Sequence, residues 1–108
     1  MCVPRSVVAK HLVADALAAR PEDFDAAEAA LGRLDAVVAN AGIVAESAPL
    51  AEMTGDRLRR MFEVNLLGAL FTAREAARRL PRPAAEPAGA LVLVSSAAAR
   101  NGAAGEYV

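Results

Sequence analysis

Three short stretches carry the side chains that could do chemistry: Asn40-Ala41-Gly42, Asn65, and the pair Ser95-Ser96. A serine hydroxyl after a strand can donate a hydrogen bond to a carbonyl oxygen as negative charge develops there. Its ordinary structural role is to cap a turn, and spacing does not separate Ser95 from Ser96. Asn40-Ala41-Gly42 reads structurally as a turn, because asparagine and glycine tolerate positive φ. Functionally it offers close backbone approach to a flat ligand, with Ala41 and Gly42 too small to obstruct it. Asn65 stands among apolar residues in Phe62-Glu63-Val64-Asn65-Leu66-Leu67-Gly68. Asparagine is a mediocre helix former, so it either faces solvent or bonds a neighbouring loop. His11 has no partner in view and takes no role. Taken singly, none of these outweighs its structural reading.

The elements that would position them are legible. Residues 91–94 are four aliphatics without alternation, the pattern of a strand buried on both faces in a parallel sheet. Residues 34–39 are a second such run, and each leads straight into a polar turn. In open α/β sheets, ligands bind at the carboxyl ends of the strands. Between the two runs, Thr54 is a plausible N-cap for a helix to about Leu80. Leu58, Met61, Phe62, Leu66, Ala69, Leu70, Ala73 and Ala77 give it helical spacing. Arg57, Arg59, Arg60, Arg74, Arg78 and Arg79 supply its polar surface, the last two suiting the negative helix end. Residues 21–31 read as an earlier helix, with Pro21 and acids in the first turn, Gly32 as stop, and Phe24, Ala27 and Leu31 on one face. Residues 11–15 could form a short buried strand ending in Asp15. Three prolines make 81–89 a loop, and 97–108 is a small, glycine-spotted tail.

At 108 residues the chain is one small domain or a piece of a larger one. It is 56% hydrophobic but only 4% aromatic, so alanine dominates and any core is thin. A net charge of -1 without a basic block points away from nucleic acid and anionic membrane surfaces. No uncharged apolar run approaches a membrane span, and the start lacks a signal-peptide pattern. The single cysteine, Cys2, allows no disulfide within the chain, which fits a reducing compartment such as the cytoplasm.

Asn-Ala-Gly after a strand, Phe-Glu-Val-Asn-Leu-Leu-Gly in a helix, and Val-Leu-Val-Ser-Ser after the next strand together resemble the short-chain dehydrogenase/reductase family. The resemblance is clearest over residues 31–108, within a single domain of 1–108. It implies an α/β, partial Rossmann fold: a doubly wound parallel sheet lacking its first βαβ unit and C-terminal part. It also implies NAD or NADP as cofactor, and hydride transfer to or from an alcohol or carbonyl carbon. Asn40, Ala41 and Gly42 match the motif beside the cofactor. Asn65 matches the helix asparagine that supports a proton-relay water. Ser96, the second serine, matches the substrate-orienting serine, and Asp15 matches the acid near the adenine ring. Ala39 stands where the family often has a first asparagine.

Two family features are missing from this sequence: the glycine-rich turn that holds pyrophosphate at a helix N-terminus, and the Tyr-x-x-x-Lys pair of the acid/base step. The resemblance places the catalytic tyrosine just after the ending Gly105-Glu106-Tyr107-Val108, so Tyr107 is not that residue. The expectation is an internal piece of an oxidoreductase, inactive by itself. Two rival readings are a non-catalytic protein pairing with a second copy through the 55–80 helix, and a gene remnant without a stable fold.

Overall fold

The computed structural model describes residues 20–105. The expected strand at 11–15, with His11 and Asp15, lies outside the described residues, as does Tyr107. Helix α1, Pro21–Leu31, forms where proline and acids open a helix and Gly32, at φ 81°, closes it. Strand β1 is Ala36–Ala39 and β2 is Ala90–Leu93. They pair in parallel, Ala36 opposite Ala90 and Ala39 opposite Leu93. Bonds from Ala90 N to Asp35 O and from Val94 N to Ala39 O, both 3.0 Å, extend the ladder at each end.

The connection between the strands is the long helix. Helix α2, Gly55–Phe62, begins at Thr54, whose Oγ1 accepts from the Arg57 amide at 3.2 Å, so the expected cap is present. Helix α3, Gly68–Arg79, continues it and ends at Leu80. Between them, Glu63–Leu67 winds as a single π-turn with Asn65 at its centre. Such turns are uncommon inside α-helices and occur often at functional sites.

The core joins Phe24 of α1, Leu34 just before β1, and Ala76 and Leu80 around the end of α3, with Ala27 and Val37 packed against it. It therefore sits at the amino ends of the strands, opposite the polar exits. Burial of an aromatic or aliphatic side chain here contributes about 1.5–3 kcal/mol. Gly89 is needed for this packing, since a Cβ there would stand 2.7 Å from the Leu80 carbonyl oxygen. The loop 81–89 is irregular as expected, and its Arg82 reaches back to bond the carbonyls of Leu34 and Arg79.

Three expectations need correction. The strands are not buried on both faces: Leu91 to Val94 are 39–57% exposed, because the described sheet is two strands wide. The long helix buries Met61, Val64, Gly68, Glu75, Ala76 and Leu80, whereas Phe62, Leu66, Leu70 and Ala77 of the expected stripe are exposed. The helix is apolar on two faces, and spacing alone merged them. Leu31 is likewise exposed at the rim of the core.

Candidate functional site at the carboxyl ends of the strands

Because Ala39 lies opposite Leu93, the chain leaves both strands at the same end of the sheet. Asn40-Ala41-Gly42 and Ser95-Ser96 thus emerge side by side, and all five residues are exposed. The two exits are built differently. After β1 the chain has no regular secondary structure and is held from outside; none of Asn40, Ala41 and Gly42 takes positive φ, so the turn expected there is not formed. After β2 the chain enters a short helix, α4, Ala98–Asn101. The Ser96 hydroxyl accepts from the Ala98 amide at 3.2 Å, and Gly102 ends the turn at φ 69°.

The external hold on the first exit is Asn65. Its Oδ1 accepts from the Ile43 amide at 2.8 Å and its Nδ2 donates to the Ile43 carbonyl at 2.9 Å. One side-chain amide thereby satisfies both backbone groups of a residue in a segment without strand partners. Of the two structural roles open to Asn65, bonding a loop is the one observed. Gly42 fits against this clasp, since a Cβ there would lie 3.3 Å from Asn65 Oδ1. Farther along, the Ala48 amide donates to the Gly105 carbonyl at 3.1 Å, joining the loop after β1 to the segment after α4.

Ser96 stands apart from this clasp, tied to it through the strand pairing. Ser95 and Ser96 line one open groove with Ala97, Ala99, Arg100 and Asn101. Among the described residues, no group of three or more His, Cys, Asp or Glu side chains could hold a metal. No helix among them is long and apolar enough to cross a membrane.

A polar cluster that composition did not reveal lies at the other end of the molecule. Glu75 is fully buried, its two oxygens accepting from Arg78 Nη1 and Arg79 Nη1 at 2.6 Å each. Arg79 also donates to Asp25 at 2.5 Å and lies over the Phe24 ring, 5.3 Å from its centroid. Asp25 first, then Glu75, hold its guanidinium above the ordinary arginine range. The arginine that spacing placed on the surface is instead a rivet between α1 and α3. The only sequence signal was Glu75 flanked by basic residues on a helix, which commonly marks a solvated face.

A parallel strand pair joined by a long helix, with glycine- and serine-bearing segments at the carboxyl ends, is the βαβ unit from which doubly wound α/β folds are built. The short chain dehydrogenase family profile matches residues 8–108, and the chain belongs to that family. It is 39% identical over 75 residues to the oxidoreductase YgfF of Escherichia coli, covering 69% of this chain and 30% of that one. It is 40% identical over 104 residues to an L-rhamnose 1-dehydrogenase (NAD(P)(+)) of a Sphingomonas strain, covering 95% and 38%. Among solved structures, a variant of ElxO with NADPH bound superposes with a TM-score of 0.74 at 26% identity, covering 85% of this chain and 37% of that one. A short-chain dehydrogenase/reductase of Serratia marcescens gives a TM-score of 0.67 at 28% identity, covering 80% and 38%. The chain thus spans about a third of the length of these relatives.

Proposed function

We propose that this chain supplies the middle of a cytoplasmic NAD(P)-dependent oxidoreductase acting on a small alcohol or carbonyl compound. The observation that carries the reading is the shared exit of Asn40-Ala41-Gly42 and Ser95-Ser96, with Asn65 fixing the first of them through Ile43. The exposed Ala41 and Gly42 leave backbone open to a flat ring, which fits a nicotinamide. When bound, that cofactor supplies or accepts the hydride. Asn40, Ala41 and Gly42 line its approach. Ser96 donates its hydroxyl to the substrate oxygen, the direction in which a developing negative charge is stabilised. In its present bond that hydroxyl accepts from Ala98, so its proton remains available. Asn65 acts through position: both side-chain polar atoms are used on Ile43. Asp15 takes the adenine side of the cofactor.

The test is a chain restored at both ends with the flanking parts of a relative. Ser96→Ala is expected to lower turnover about 100-fold or more, the loss typical of one oxyanion donor, and by more than Ser95→Ala. Greater damage from Ser95→Ala overturns the assignment. The chain by itself is expected to show no turnover with either nicotinamide, since acid/base catalysis typically contributes ~10²–10⁴-fold and this sequence lacks the Tyr-x-x-x-Lys pair. Turnover above a Ser96→Ala control refutes that.

A second reading rests on a separate observation. Phe62, Leu66 and Leu70 fall at successive four-residue steps and are about half exposed, an apolar helix stripe suited to a second copy of the chain. Pairing through the 55–80 helix requires that Leu66→Glu, tested by sedimentation, shift a dimer to monomer. An unchanged dimer removes this stripe from the interface.

A further inference from the structure

We draw no further inference here: the strongest candidate, the open groove beside β2 where Arg100 and Asn101 join Ser95 and Ser96, belongs to the site already described, and its lining among the described residues does not say what chemical group Arg100 would receive.

Discussion

Asn65 shows how one polar side chain can set a loop. The clasp on Ile43 is two-sided, and both partners lie near solvent. Water therefore competes, and each bond contributes about 1 kcal/mol. Asn65→Leu is expected to cost about 1–2 kcal/mol and to speed amide exchange at Ile43. Asn65→Asp keeps the acceptor for the Ile43 amide but loses the donor to its carbonyl, so its exchange should lie between the two. Equal exchange in all three proteins would dismiss the clasp. Gly42→Ala tests the same contact from the other side. Its methyl meets Asn65 Oδ1 at 3.3 Å, so its cost should shrink when Asn65 is already alanine. In a double-mutant cycle the two sites should couple by about 0.5 kcal/mol or more. Simple additivity would mean that the oxygen gives way freely.

At the scale of elements, the buried Glu75 decides how α1 and α3 hold together. Its carboxylate has left water and relies on Arg78 and Arg79. Removing one partner of a buried pair is strongly destabilising, and the remaining arginines, Arg78 at 2.6 Å and Arg74 at 3.5 Å, soften the loss. In a chain extended with the neighbouring strands of a relative, where there is stability to lose, Arg79→Met is expected to cost about 3 kcal/mol in urea denaturation. Arg59→Met, which loses only an exposed pair with Asp56, should cost under about 0.5 kcal/mol. Comparable losses would show that the rivet does not carry the docking of α1. The pH dependence follows from the raised Arg79 value. A cation whose folded value is raised contributes fully below its ordinary value and loses that contribution only as pH climbs past it. Arg79 therefore adds no slope near neutrality. The two helices, both strands, the Thr54 cap and the proline loop were legible because each rests on local signals: proline and glycine punctuation, an oxygen at an N-cap, an unbroken aliphatic run. The family motifs likewise fall at the carboxyl ends of the two strands. The π-turn and the burial of Glu75 and Arg79 were not legible. A π-turn at Asn65 depends on what its amide finds in space, Ile43, 22 residues away in sequence. Whether an arginine faces water or a neighbouring helix is decided by packing, and so is the helix's buried face: spacing put Leu66 on the apolar stripe and left Val64 off it, whereas Leu66 is exposed and Val64 buried.

At the scale of the whole molecule, the described part has the thin core that its alanine content implies. Eight hydrophobic residues are buried, and two of them are alanines. Among the described residues the sheet has two strands, whereas three or more with good cover are usually needed for independent stability. Val38, Leu91, Val92, Leu93 and Val94 remain 39–57% exposed, so much of the apolar surface that should drive folding still meets water. Each strand also presents one edge without a strand partner among the described residues, which is a template for association. Of the buried hydrophobic residues, Phe24, Leu34, Ala76 and Leu80 form one cluster at the amino ends of the strands, while Ala39, Met53, Met61 and Val64 are buried outside it. The isolated chain is therefore expected to unfold with less than about 3 kcal/mol, below the usual 5–15 kcal/mol of a folded domain. It should bind a dye for exposed apolar surface and associate as its concentration rises. Extending the chain with the neighbouring strands of a relative should raise stability and suppress that association together, since the same edges and faces are covered. Chemical denaturation with sedimentation at several concentrations checks this. A single steep transition of a monomer at several kcal/mol would mean that two strands and one riveted helix pair suffice.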